Sequence, residues 1–169
     1  MVIWITGISG TGKTTLGKHF LKKTKSKFIY FDGDDFRRIF YNDIKYTLKD
    51  RNINAQRLTR LVKYLSKQKL NLIVSANITS RKYRSWCRKN IKDYIEVFID
   101  AEIKNLISRD YKKLYSRAIK KKLTNVVGID IPFKKPISSD IYITNNSTKS
   151  NFLKKIKIIK QYIKRKKIK

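Results

Sequence analysis

Residues 7–14 read Gly7-Ile8-Ser9-Gly10-Thr11-Gly12-Lys13-Thr14, a full G-x-x-x-x-G-K-[ST] phosphate-loop pattern, directly behind the apolar run Val2-Ile3-Trp4-Ile5-Thr6. No other segment restricts the fold as much, because the pattern works only when a buried strand feeds the loop and a helix leaves it. Thr15-Leu16-Gly17-Lys18-His19-Phe20-Leu21 has the composition of that helix. In such a turn successive backbone N–H groups converge on a β-phosphate at the helix N-terminus, the lysine bridges β- and γ-phosphates, and the threonine hydroxyl ligates Mg²⁺. Gly7, Ser9, Gly10, Thr11, Gly12, Lys13, Thr14 and Thr15 are therefore the candidate nucleotide-binding set, with Thr14 a candidate metal ligand and ATP or GTP the expected ligand.

Strand-like runs at Val2 to Thr6, Phe28 to Phe31, Leu72 to Ala76, Tyr94 to Ile99 and Ile141 to Thr144 alternate with longer helix-compatible stretches. The stretches are 13–24, 35–42, 54–69, 80–90, 103–110, 112–121 and 148–166. This alternation predicts an α/β chain with a mostly parallel five-stranded sheet; with the phosphate loop it reads as a three-layer αβα P-loop nucleoside-triphosphate-hydrolase fold, and likeness to small phosphoryl-transfer enzymes implies a helical lid at about 109–127. A length of 169 residues at 41% hydrophobic content suits one domain over 1–169. Leu58, Leu61, Val62 and Leu65 recur at helical spacing, as do Phe152, Ile156, Ile159 and Ile163 in the basic C-terminal helix about 148–169, and both stripes read as core. Lys164 to Lys169 reads as a frayed, solvated end.

The formal charge of +30 raises the question of nucleic acid. Lysine outnumbers arginine, is scattered along the whole chain, and accompanies a surplus of Ile, Asn and Tyr, the mixture that AT-rich coding bias produces. We read the charge that way, with the remaining effect that a positive field steers polyanionic nucleotides toward the site. Cys87 is the single cysteine and His19 the single histidine, which excludes an intramolecular disulfide and a cysteine-based zinc cluster; His19 reads as a plain helix position. No basic-plus-apolar leader stands before the first strand and no run has membrane-spanning length, so a cytoplasmic protein without membrane contact is expected.

The second strand ends in Asp32-Gly33-Asp34-Asp35, which puts carboxylates at the carboxyl edge of the sheet, where open α/β sheets bind ligands. Phosphoryl transfer to a hydroxyl calls for one carboxylate to orient that hydroxyl and another to hold the water shell of Mg²⁺, roles that Asp32 and Asp34 can share. Asp34 or Asp35 can equally start the next helix as its N-cap. Arg37 follows, and Arg51, Asn54 and Arg57 fall at i, i+3 and i+6 near the start of one helix, roughly on one face. After the fourth strand, Arg109-Asp110-Tyr111-Lys112-Lys113-Leu114-Tyr115 stands where small phosphoryl-transfer enzymes carry a closing lid, whose cations neutralise the transferring group. Lys120-Lys121-Lys122 reads as a solvated face.

Together these segments resemble the adenylylsulfate kinase family. Asp32-Gly33-Asp34-Asp35-Phe36-Arg37 corresponds to its Asp-Gly-Asp-Asn-x-x-Arg, with Asp35 at the Asn position and the arginine two positions after it. Tyr46-Thr47-Leu48-Lys49-Asp50-Arg51-Asn52-Ile53-Asn54-Ala55-Gln56-Arg57 matches its Phe-Ser-x-x-Asp-Arg-x-x-Asn-x-x-Arg without gaps. Arg109 to Tyr115, then Gly128-Ile129-Asp130 and Pro136, match its Arg-Asp-x-Lys-Gly-Leu-Tyr and the Gly-Ile-Asp and proline behind it.

The resemblance implies an ATP- and Mg²⁺-dependent kinase with Lys13, Asp32, Asp34 and Arg109 as catalytic groups, Thr14 and Asp32 near the metal, partly through water, and Lys112 on the nucleotide. Asp34, Arg37, Tyr46, Arg51, Asn54, Val126 and Ile129 would hold a small nucleotide acceptor. Two departures fall on the acceptor side. Tyr46 and Val126 stand where the family sandwiches adenine between two phenylalanines, and Asn77-Ile78-Thr79 stands where it has Ile-Ser-Pro. The expected reaction is phosphorylation of the 3′-hydroxyl of adenosine 5′-phosphosulfate. A related branch acting on cytidine diphosphoramidate in capsular polysaccharide modification is the alternative, a basic nucleic-acid-binding P-loop module a lesser one, and a homodimer is left open.

Overall fold

Every residue of β1 (Val2–Thr6) is buried, and its side chains alternate between two separate cores. In the computed structural model, which describes residues 1–40, 43–110 and 112–168, β1 is the middle of a five-stranded sheet of order β2-β3-β1-β4-β5. The others are β2 (Ile29–Asp32), β3 (Leu72–Ser75), β4 (Tyr94–Asp100) and β5 (Ile141–Thr144), and all four pairings are parallel. A strand covered on both faces is apolar throughout rather than alternating, as Val2-Ile3-Trp4-Ile5 is. Each such side chain contributes roughly 1.5–3 kcal/mol by leaving water.

Val2, Trp4, Leu72 and Val74 face α3 (Leu48–Lys67) and α4 (Arg81–Asn90), meeting Leu58, Val62 and Cys87. Ile3, Ile5, Ile73, Val97 and Ile99 face the other layer, meeting Leu16 and Phe20 of α1 (Lys13–Lys23), Phe152 of α7 (Lys149–Lys154) and Ile159 of α8 (Ile156–Ile168). A third cluster joins Ile8 of the loop to Leu106 of α5 (Ile103–Ser108), Tyr115 and Ala118 of α6 (Leu114–Ile119), and Val126, Val127 and Ile131. That cluster is the lid's own core. Among the described residues no helix is long and apolar enough to cross a membrane.

Several boundaries differ from expectation, each for a local reason. α3 starts at Leu48 rather than 54, because Thr47 and Asp50 form a reciprocal capping box. α2 (Gly33–Ile39) starts before 35 and is capped by Asp32, whose Oδ1 accepts from the Asp34 amide at 2.9 Å; neither Asp34 nor Asp35 is the cap. The expected end of that helix, at 41–42, lies outside the described residues.

The C-terminal helix is interrupted at Lys155, whose ammonium reaches back to the Thr144 carbonyl at 2.6 Å and ties the break to the end of β5. Its apolar stripe is core, as expected, with Ile163 packed against the second cluster. The expected fraying from Lys164 does not occur: α8 continues to Ile168, and Lys166 Nζ donates to the Tyr94 carbonyl at 3.1 Å. Lys169 lies outside the described residues.

α1 lies close to β3 at Gly17, where an added Cβ would come within 2.6 Å of Ser75 Oγ and 2.8 Å of the Tyr30 ring. Gly17→Val is expected to lower the unfolding free energy by about 1–3 kcal/mol through overpacking. Urea denaturation checks this; a neutral valine would show that α1 and β3 are not packed this tightly.

Candidate active site

The loop leaves β1 through Gly7 and enters α1 through Gly12, and its conformation leaves these two positions no room for a side chain. Gly12 has φ 96°, and a Cβ there would sit 2.8 Å from the Phe152 ring; a Cβ on Gly7 would sit 2.5 Å from the Ile99 carbonyl oxygen. Gly12 is the N-cap of α1 and no side chain caps that helix, whereas Asp32, Thr47 and Thr148 cap theirs. The first amides of α1 are thus left for an anion, the fit a nucleotide phosphate requires. The loop is pinned from three sides. Tyr115 Oη donates to the Ser9 carbonyl at 2.7 Å, Asn145 Nδ2 to the Thr11 carbonyl at 3.0 Å, and Thr11 Oγ1 to the Ile8 carbonyl at 2.9 Å.

Lys13 Nζ donates to the Ile8 carbonyl at 2.8 Å. Burial pushes this ammonium down to about 8, with the Asp34 and Asp32 carboxylates limiting the fall. Thr14 Oγ1 donates to Asp32 Oδ2 at 2.6 Å, and Tyr30 Oη donates to the same oxygen at 3.2 Å. Thr14 and Asp32, both expected near the metal, thus lie side by side, with Tyr30 as a support that sequence reading missed. Tyr30 lies two residues before Asp32, hence on the same side of β2, a signal that was available. A hydroxyl and a carboxylate oxygen are the hard donors that suit Mg²⁺, which keeps several waters and shares its shell with substrate phosphates. Among the described residues no group of three or more His, Cys, Asp and Glu could hold a metal by itself.

Asp34, in the first turn of α2, meets Lys112 of the lid at 3.0 Å. Burial alone would raise the Asp34 carboxyl, but the Lys112 hydrogen bond and charge, helped by Lys13 and Arg37, hold it below the usual carboxylate range. The ion pair in turn raises the Lys112 ammonium. Asp34 is thus paired with Lys112 and feels the charge of Lys13 from a greater distance. Arg109 does not join them. Its guanidinium donates to the Asn145 and Ser147 carbonyls at 3.0 and 3.1 Å, and it lines a hollow of about 440 Å³ with Gly10, Gly12, Thr15, Thr148, Lys149 and Phe152. Tyr111 lies outside the described residues.

On the other side, Tyr46 is half exposed and flanked by two guanidinium groups, Arg37 at 4.7 Å and Arg51 at 5.5 Å from the ring centre. Arg37 is buried and held by the Lys45 carbonyl at 2.7 Å; Arg51 bridges the Tyr46 and Asn125 carbonyls at 2.9 and 2.8 Å, linking α3 to the lid. Asn54 follows one turn later. Val126 is not at an open face: it is 2% exposed, inside the lid core, with its amide and that of Asn125 donating to the Asp130 carboxylate. Ile129 is exposed on the same lid turn. Arg57 separates from its neighbours, pairing with Asp43 at 2.6 Å. Asn145, Asp130 and Tyr115 shape the site without having been assigned roles in the sequence; for Asn145 no local pattern marks it.

A parallel sheet of this order, a phosphate loop whose helix is left uncapped, a hydroxyl and carboxylate pair beside it, and a lid cation over a second carboxylate define a P-loop phosphotransferase that binds a nucleotide. The comparisons make the class specific. The family model described as adenylylsulphate kinase matches residues 1–144, and the chain belongs to that family. The chain is 37% identical to the cytidine diphosphoramidate kinase of Campylobacter jejuni over 94% of its own length and 93% of the relative's. It is 34% identical to the adenylyl-sulfate kinase of Buchnera aphidicola, over 94% and 80% of the two lengths. The Mycobacterium tuberculosis APS kinase, solved in complex with AMPPNP and APS, superposes with a TM-score of 0.86 at 27% identity, covering 96% of each chain.

With its ammonium at about 8, Lys13 is about half protonated near pH 8, and a bound triphosphate would hold it charged. Binding of a non-hydrolysable ATP analogue should therefore take up about half a proton near pH 8 and almost none near pH 6. Calorimetry in buffers of different ionisation enthalpy measures the uptake; equal values at the two pH values would show that Lys13 does not titrate there.

Proposed function

We propose that the chain transfers the γ-phosphate of ATP to the 3′-hydroxyl of a small nucleotide carrying a diphosphate-like 5′ group. The observation that carries this reading is the Asp34 carboxylate, set between Lys13 of the phosphate loop and Lys112 of the lid. Held ionised, it is ready to accept a hydrogen bond from an acceptor hydroxyl and to aim that oxygen at the phosphorus. A loose phosphoryl-transfer transition state asks mainly for positioning and charge neutralisation, so a carboxylate of depressed pKa suffices as the orienting base.

The loop amides and Lys13 hold the β- and γ-phosphates, and Arg109 with the hollow beside Phe152 receives the donor's nucleoside. Thr14 and Asp32 would hold Mg²⁺, which would supply positive charge against the phosphates. On acceptor entry Lys112 exchanges part of its contact with Asp34 for the transferring group, and the lid excludes water. Arg37 and Arg51 face the acceptor's anionic tail, with Tyr46 as the one aromatic platform.

Adenosine 5′-phosphosulfate is the acceptor implied by most relatives. A second reading, cytidine diphosphoramidate, is supported by the burial of Val126, which leaves the base one aromatic face instead of two, and by the likeness to the Campylobacter enzyme over nearly the whole chain. Incubation with MgATP and each acceptor separately, with product mass as readout, tests both. Asp34→Asn should lower kcat by about 10²–10⁴ with a smaller change in KM, and Lys13→Ala should abolish transfer while the fold is kept. Full turnover in either variant would remove the site from consideration.

A further inference from the structure

Two peptide planes of the phosphate loop are held from outside the loop, and each stands directly before a glycine. Tyr115 Oη of α6 donates to the Ser9 carbonyl at 2.7 Å, and Asn145 Nδ2, just past β5, donates to the Thr11 carbonyl at 3.0 Å. The residues behind those carbonyls are Gly10 and Gly12, with φ of 76° and 96°. A plane beside glycine turns easily, because no Cβ resists rotation about its φ. Both clamps therefore act where the backbone would otherwise be free to turn.

In a trans peptide a carbonyl and the N–H of the next residue point in opposite directions. Holding the Ser9 carbonyl thus aims the Gly10 amide away from Tyr115, and holding the Thr11 carbonyl aims the Gly12 amide away from Asn145. Neither amide has an acceptor among the described residues. Like the uncapped first amides of α1, both remain available to an anion.

The clamps are themselves fixed. Tyr115 is 1% exposed, in the lid core with Ile8 and Leu106, and burial raises its phenol, so it stays a donor. Asn145 is 6% exposed, and its own amide donates to the Asp100 carbonyl at 2.7 Å. Its Nδ2 lies so close to the loop that a Cβ on Gly12 would be 3.0 Å from it. The two side chains stand 106 and 134 positions from the carbonyls they hold, far outside the Gly7 to Thr14 pattern.

We propose that Tyr115 and Asn145 are positioning residues for phosphoryl transfer: by fixing the Ser9 and Thr11 carbonyls they aim the Gly10 and Gly12 amides at the phosphates of the donor. They act through the backbone and not on the nucleotide. This rests on the donor site assigned above, and it makes α6 of the lid and the end of β5 part of phosphate binding.

The test measures, by calorimetry with Mg²⁺ present, how the purified chain binds inorganic tripolyphosphate, which has no nucleoside, and a non-hydrolysable ATP analogue. Tyr115→Phe removes one oxygen and keeps the ring. Asn145→Leu removes the donor at similar volume, and Asn145→Ala replaces it if the leucine variant does not melt cooperatively. Each variant is expected to lose about fivefold to tenfold in affinity for both ligands alike, the effect of one misdirected hydrogen bond. In turnover the KM for ATP should rise by the same factor while kcat and the acceptor's KM are nearly kept, because the amides hold phosphate equally before and during transfer.

An unchanged tripolyphosphate affinity in a folded variant would overturn the inference for that residue. So would a loss confined to the ATP analogue, which would place the side chain on the nucleoside, or a fall in kcat without a rise in the KM for ATP. A wild type that binds neither ligand would instead bring down the donor site, and this inference with it.

Discussion

β1 is buried on both faces, so neither its position nor its direction can shift without opening one of two cores. The phosphate loop begins where that strand ends, which makes Gly7 a fixed point rather than a loop tip. The parallel order β2-β3-β1-β4-β5 then brings the carboxyl ends of all the strands to the same edge. Asp32 at the end of β2, and Gly7, Ala76, Ala101 and Asn145 just past the ends of β1, β3, β4 and β5, line that edge for this reason. No side chain of the site needs a long excursion to reach it.

Asp32 ties the two halves of the cleft together. One carboxylate oxygen caps α2, the helix that carries Asp34 and Arg37, and the other takes the hydroxyls of Thr14 and Tyr30. A shift of the phosphate loop along β1 would therefore strain the start of α2 and move Asp34. The shared carboxylate thus couples the position of the phosphate loop to that of Asp34. Reaction rates respond steeply to such geometry, since a misplacement of about 1 Å can cost about 10²-fold.

The sheet, its strand count and the nucleotide loop were legible because each has a local signal: apolar runs of strand length, a spaced motif, and helical stripes. The early start of α3 was legible too, since Thr47-Leu48-Lys49-Asp50 is a capping sequence read only as part of a longer motif. The role of Asp32 as cap was not separable from that of Asp34 or Asp35, because three adjacent polar residues offer the same chemistry at one turn. Arg109 and Val126 are the instructive cases. Position in a motif says which loop a side chain is on but not where it turns, and both are decided by distant partners: the carbonyls of Asn145 and Ser147 for one, the lid core for the other. Lys113 shows the converse. It occupies a left-handed turn at φ 50°, the conformation that explains the glycine in the matching family motif, although its own identity does not reveal it.

The two sides of the cleft differ in how firmly they are held. The donor loop is tied down by partly or fully buried hydrogen bonds from Tyr115, Asn145 and Thr11, which water does not compete with freely. Across the cleft Arg37 and Arg51 also have partly buried bonds, but other groups there are exposed. Asp34 and Lys112 are both more than half exposed, and Tyr46 lies open between its two arginines. Exposed pairs of this kind contribute about 0–1 kcal/mol, so an acceptor can displace them at little expense. The phosphate-loop side is thus held more firmly than the side that carries Asp34, Lys112 and Tyr46. Of the departures from the family motifs, Tyr46 stands on the exposed side, whereas Val126 is packed into the lid core.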